Sequence, residues 1–246
     1  MSYSSGIVKA LQDPYPWWAI KKEGTVVIKE ADWPATIGFK WGTFIEGTST
    51  VVKDSNHYFG GSGCVKMLTD NVVSHNAELK INLMYPLGGG RYAFEQKFAT
   101  GDPAPVSATT RYHMGIEPRE NAADGFWQGR VRYSNNTDNW QYESGIDTYT
   151  NFAPDLVIEQ PVLDTAVAGP GDKWGWGRLV VDTIKKQYVS FEAAGKGKIE
   201  FRDMTGIPLV SRGAATAWNL LVFVLIISGS NNVEALRSTD WMITKV

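Results

Sequence analysis

Between Thr109 and Glu117 the side chains change character at every second residue: Thr110, Tyr112, Met114 and Ile116 alternate with Arg111, His113, Gly115 and Glu117. Period two belongs to a β-strand with one apolar and one wet face, because successive side chains point to opposite sides of the pleat. The pattern returns from Phe126 to Tyr133, where Trp127, Val131 and Tyr133 oppose Gln128, Arg130 and Arg132, and again where Trp140 and Tyr142 oppose Gln141 and Glu143. Strands of this kind must share a core, so their polar halves pool into one broad sheet face. That face and its surrounding loops are where function is expected. Runs with helical periodicity are missing.

Composition agrees with a strand-rich chain: 25 Gly, 10 Trp, 10 Tyr and 10 Phe in 246 residues favour strands and tight turns over helices. That length fits one β-sandwich, so a single domain over residues 1–246 is expected. A formal net charge of -2 lacks the excess of Lys and Arg that phosphate backbones demand, which argues against a nucleic-acid partner. The one cysteine, Cys64, lies between Gly63 and Val65 and reads as a small buried hydrophobe. Met1 to Gln12 lacks the basic start and apolar run of a signal peptide, so a cytoplasmic or mature-form chain is expected. The longest apolar run, Leu220 to Ile227, is eight residues. Spanning a bilayer takes about 20, so this is a buried strand and no membrane partner is expected.

Pro14 and Pro16 stiffen an aromatic entry segment, Asp13 to Trp18, before a short strand at Gly24 to Lys29. Further strands are expected at Trp41 to Val52 around a turn at Gly47, at Tyr58 to Met67, at Ala77 to Leu83 and at Gly90 to Phe98. Asn135 to Asp138 reads as a hairpin turn. Tyr149 to Trp176, with Pro154, Pro161 and Pro170, is expected to be irregular, with long loops and room for one short helix. Strands resume at Trp176 to Ile184, Gln187 to Ala193, Ile199 to Phe201, Leu220 to Ile227 and Trp241 to Val246. Twelve to fourteen strands with short turns are the signature of a two-sheet antiparallel sandwich.

Three segments carry a likeness to known folds. Tyr58 to Met67 resembles the glycine-rich strand near the start of jelly-roll domains. Trp176-Gly-Arg-Leu-Val-Val-Asp182, continuing to Tyr188-Val-Ser-Phe191, is similar to the paired strands of concanavalin A-like and laminin-G-like domains. Ser238 to Val246 resembles the closing strand that lies beside the first. Together these segments cover about half of the chain. The resemblance implies an all-β, concanavalin A-like jelly-roll sandwich of the lectin/glucanase superfamily and, by analogy alone, sugar binding.

Retaining glucanases need two carboxylates about 5 Å apart on one face. No Glu-x-Asp-x-Glu run exists here, and Glu95, Glu143 and Glu192 stand singly on their strands. A polysaccharide lyase needs a Tyr or His base beside Arg, Gln or Asn that neutralise a uronate carboxylate. Arg111, His113, Gln128, Arg130 and Arg132 fit that requirement if they share a face. The plain alternative is a solvated ladder in which Arg111, Arg130 and Arg132 pair with Glu95, Glu117 and Glu143, each pair contributing at most about 1 kcal/mol. His57, His75 and His113 lack the spacing of a zinc site. No cofactor is called for, although Asp70, Asp164, Asp172 and Asp240 are candidate ligands of a structural calcium ion. Trp127, Trp140 and Tyr142 belong to the core by parity. Trp17, Trp18, Trp174 and Trp176 lie in loop-like stretches and are candidates for stacking on sugar rings, with plugging of a sandwich edge as the commoner use of such residues. The leading reading is a carbohydrate-recognition module without catalysis. The first alternative is a lyase using the polar face, and the second is a structural or assembly protein. Arg and His grouped beside a Tyr favour catalysis, whereas a flat plate with a loop tryptophan favours binding.

Overall fold

The protein is described from a computed structural model over residues 25–30, 41–55, 64–83, 88–101, 110–134, 139–158, 174–195, 198–216 and 219–246. These hold sixteen strands and no helix. In chain order they are β1 (Thr25–Glu30), β2 (Trp41–Ile45), β3 (Thr50–Asp54), β4 (Cys64–Leu68), β5 (Asn76–Leu83), β6 (Arg91–Thr100), β7 (Arg111–Arg119) and β8 (Ala122–Ser134). They continue as β9 (Asn139–Gly145), β10 (Thr148–Val157), β11 (Gly175–Asp182), β12 (Gln187–Gly195), β13 (Lys198–Asp203), β14 (Val210–Ala215), β15 (Asn219–Ile227) and β16 (Ala235–Lys245). The first sheet runs β13-β12-β11-β6-β16-β4-β3, with β1 also on β16; the second runs β10-β9-β8-β7-β15-β5-β2, with β14 also on β8. Adjacent strands pair antiparallel, and β16, the closing strand, lies against β1 as the resemblance implied. The fold is an all-β, two-sheet jelly-roll sandwich.

Inward-facing residues of both sheets make one core: Leu79, Ile81, Met114, Ile116, Val222 and Val224 from the second sheet meet Phe94, Leu179, Val181, Phe191, Trp241 and Ile243 from the first. Trp140 sits at its centre, with ring centroids 4.8 Å from Phe191 and 5.6 Å from both Phe98 and Tyr133. Offset and edge-on contacts of this kind suit the ring quadrupoles. Tyr142 and Trp127 are partly buried against the same core, as their parity predicts.

Two expectations are corrected. Tyr149 to Val157, within the stretch expected to be irregular, belongs to a strand, β10, whose pairing with β9 shifts register between Asn151 and Leu156. Glu95, expected to share a ladder with Arg111, Arg130 or Arg132, belongs to β6 in the other sheet and binds Arg178 Nε at 3.0 Å. Alternation fixes the facing of residues within a strand but not the sheet that the strand joins.

Candidate functional site on the outer face of the second sheet

Because Tyr112, Met114 and Ile116 enter the core, Arg111, His113, Gly115 and Glu117 of β7 face outward. Val131 and Tyr133 likewise turn Gln128, Arg130 and Arg132 of β8 to the same side. Pairing sets these residues side by side: His113 opposes Arg132, Gly115 opposes Arg130, and Arg132 opposes Gln141. On the flanking side His113 opposes Leu225 and Gly115 opposes Phe223 of β15. A Cβ at position 115 would lie 2.4 Å from the Phe223 ring, so only glycine leaves room for this aromatic beside the arginines. The five polar residues singled out by alternation therefore lie on one face.

Tyr149 of β10, which sequence reasoning missed, completes the cluster. Arg130 Nη1 donates to Tyr149 Oη at 2.9 Å, Tyr149 Oη lies 3.4 Å from His113 Nδ1, and the Arg132 guanidinium stacks over the Tyr149 ring 3.7 Å from its centroid. Arg130 Nη2 donates to Gln128 Oε1 at 2.7 Å, and Gln128 Nε2 in turn donates to Glu117. Arg132 Nε donates to Gln141 Oε1 at 2.7 Å. Glu117 pairs with Arg119 at 2.9 Å. Among the described residues no carboxylate pairs with Arg111 or Arg132, so the cluster carries uncompensated positive charge.

Burial and charge set the protonation states. His113 is only 2% exposed. That burial, together with Arg130, Arg132 and Arg111, holds its pKa well below 6.5, so the imidazole is neutral. Burial pushes the Tyr149 phenol up to about 12 despite the attraction of Arg130. Desolvation, with repulsion from Arg111 next, brings Arg132 down to about 10. Burial also opposes the charge on Arg130, but Tyr149 and Glu143 outweigh it and hold its pKa above the usual value. The Nε2 atom of His113 is buried without a hydrogen-bond partner.

A wedge from the opposite sheet fixes these strands. The β8–β9 ladder runs from Ser134 opposite Asn139 to Val131 opposite Tyr142, and β14 then takes over, with Val210 opposite Gln128. Tyr188 of β12 stands at that fork. Arg130 N donates to its Oη at 2.9 Å, and the hydroxyl faces the carbonyl oxygens of Glu143 at 3.0 Å and Arg130 at 3.2 Å.

The tryptophans proposed for sugar stacking divide. Trp17 and Trp18 lie outside the described residues. Trp174 and Trp176 are 1% and 5% exposed, packed with Cys64, Ala99 and Ala194 on the outer side of the first sheet. Both rings are engaged in packing, with little of either turned to solvent. Of the candidate calcium ligands, Asp70 accepts from Thr48 N, Val72 N and His75, while Asp164, Asp172 and the Asp240 side chain lie outside the described set. Among the described residues no three His, Cys, Asp or Glu side chains gather as a metal site.

These features define a concanavalin A-like jelly roll with an arginine-rich cluster on one sheet face. Solved structures share the fold. An endo-β-1,4-glucuronan lyase from the fungus Trichoderma reesei matches over 90% of this chain and 96% of its own, at 11% identity and a TM-score of 0.58. The carbohydrate recognition domain of Emp47p matches over 92% and 99%, at 9% identity and a TM-score of 0.53. The alginate lyase vAL-1 from a Chlorella virus matches over 90% and 100%, at 11% identity and a TM-score of 0.51. No protein-family model and no curated protein matches the sequence. The structural neighbours thus include both carbohydrate-recognition and polysaccharide-lyase proteins.

Proposed function

We propose that the chain is a polysaccharide lyase that cleaves uronate-containing glycans by β-elimination at Tyr149 and His113. The observation that carries this reading is the placement of Tyr149 Oη between Arg130 Nη1 at 2.9 Å and His113 Nδ1 at 3.4 Å, beside two arginines with no carboxylate partner among the described residues. With His113 Nδ1 protonated, Tyr149 Oη accepts two hydrogen bonds and its own O–H is left for a substrate, while the Nε2 lone pair of the neutral imidazole is left to act as base. Arg132 and Arg111 receive the uronate carboxylate and withdraw charge from the carbon to be deprotonated. His113 Nε2 takes the C5 proton, those electrons form the C4=C5 bond, the C4–O bond breaks, and Tyr149 gives its proton to the leaving oxygen. The imidazolium then gives its Nε2 proton to water and the Tyr149 oxygen takes a proton from water, which restores the Nδ1–H imidazole and the phenol.

The test is incubation with glucuronan, alginate and neutral dextran while following the ultraviolet absorbance of the new double bond. Absorbance should rise with an acidic glycan only, and Y149F should lose at least a hundredfold in rate. No rise with any polyuronate would overturn the lyase reading. The near-complete burial of His113 favours a second reading, recognition of acidic glycans without turnover. In that case the wild-type protein binds polyuronate and leaves it intact.

A further inference from the structure

Behind the cluster lies a carboxylate that this chemistry does not use. Glu143 of β9 is a Cα partner of Tyr149 on one side and follows the β8–β9 fork on the other, so it lies between the strands that carry Tyr149 and Arg130. Its side chain is 0% exposed. Arg212, reaching across from β14, contacts Glu143 Oε1 and lies 3.3 Å from Asp147 Oδ1. Glu143 Oε1 also accepts from Asp147 N at 3.2 Å, closing the β9–β10 turn, while Oε2 is buried with no hydrogen-bond partner. A buried carboxylate with one oxygen unpartnered carries a desolvation cost that its single guanidinium offsets only in part. The nearby groups are Arg130 and Tyr149.

We propose that Glu143 is a positioning residue of this site: held by Arg212 at the fork, it places a buried negative charge between the strands that carry Arg130 and Tyr149 and biases both side chains towards their protonated forms. The inference rests on the lyase reading for its purpose but on the geometry of β8, β9, β10 and β14 for its substance. The groups facing Tyr149 are His113 from β7, Arg130 and Arg132 from β8 and Glu143 from β9, with Tyr188 of β12 behind; Asp147 in the turn lies 4.0 Å from Arg130, and Arg212 of β14 bridges Glu143 and Asp147. Of the carboxylates among them, Asp147 is 72% exposed on its side chain and its field is screened by water. Glu143 is enclosed, and its charge adds to burial in raising the Tyr149 pKa and joins Tyr149 in raising that of Arg130.

The experiment is an ultraviolet titration of phenol ionisation in wild-type protein and in E143Q, each corrected by subtraction of its Y149F counterpart. Glutamine can keep its oxygen on Asp147 N while removing the charge, at the cost of placing an NH2 where Oε2 has no partner. The Tyr149 midpoint should fall by on the order of one pH unit. In the turnover assay the alkaline limb should move down in parallel. An unchanged midpoint in folded E143Q would overturn the proposal, whatever the turnover assay shows. Should E143Q not fold, E143D withdraws the same charge by one methylene and should lower the midpoint by a smaller amount, and no movement there is equally fatal. Absence of turnover in the wild-type protein would remove the lyase reading and leave the titration result standing.

Discussion

Replacing Tyr188 by phenylalanine removes one oxygen from the point where β8 parts from β9. The ring is 0% exposed and stays packed in the core, so cavity effects are small. The loss is confined to the hydrogen bond accepted from Arg130 N at 2.9 Å and one donated to the carbonyl of Glu143 or Arg130 at 3.0 or 3.2 Å. Leaving a mostly buried N–H without a partner costs about 1–3 kcal/mol, and the donated bond is worth about 0.5–1.5 kcal/mol. Freedom from burying the hydroxyl offsets part of this, so about 2 kcal/mol is expected. For a chain of this size that lowers Tm by about 4–8 °C. Urea melts should show a lower midpoint at unchanged slope. Hydrogen exchange should show selective loss of protection at the Arg130 amide relative to Val131. A Tm within about 1 °C of wild type, with Arg130 still protected, would refute the idea that this hydroxyl holds the fork.

H113Q should remove an acid sensitivity. The histidine is held neutral in the fold well below 6.5, while the unfolded chain takes up its proton near that value. The wild-type protein therefore loses up to about 1.4 kcal/mol per pH unit as pH falls from 6.5 towards the folded pKa, and H113Q should lack that slope in urea melts. G115A should cost about 1–3 kcal/mol, because the new Cβ meets the Phe223 ring at 2.4 Å, and a double-mutant cycle with F223L should recover part of it. Truncation from Trp241 removes Trp241 and Ile243, which are 2% and 0% exposed. These two side chains are worth about 3–6 kcal/mol, comparable with a whole domain's stability, so the shortened chain should not melt cooperatively.

The polar face was legible because β7, β8 and β9 alternate polar with apolar residues, so parity alone groups Arg111, His113, Gln128, Arg130 and Arg132, although His113, Glu117 and Gln128 on that face are buried and not solvated. Tyr149 was not, since β10 is mostly exposed and its register slips around Pro154, which erases the period-two signal. The burial of Trp174 and Trp176 was hidden for a different reason. All eight residues of β11 are buried, Arg178 among them, and Arg178 is neutralised by Glu95 at 3.0 Å and Glu192 at 2.9 Å. An arginine in such a strand looks like a wet face in sequence. Likewise Tyr188 reads as one more core aromatic, and only the pairing of β14 and β9 with β8 reveals what its hydroxyl does.

The account turns on the outer face of the second sheet being built for an acidic sugar, and calorimetry on one ligand pair tests this most directly. A uronate tetrasaccharide and its carboxyl-reduced, neutral counterpart are titrated into the wild-type protein and into R132Q. Arg132 has Gln141 and the Tyr149 ring as its partners and no carboxylate, so its replacement should leave stability within about 0.5 kcal/mol. The account predicts binding of the acidic ligand alone, weakened at least tenfold in R132Q and falling with added salt. Equal affinity for the neutral sugar, or an undiminished affinity in R132Q, would contradict it.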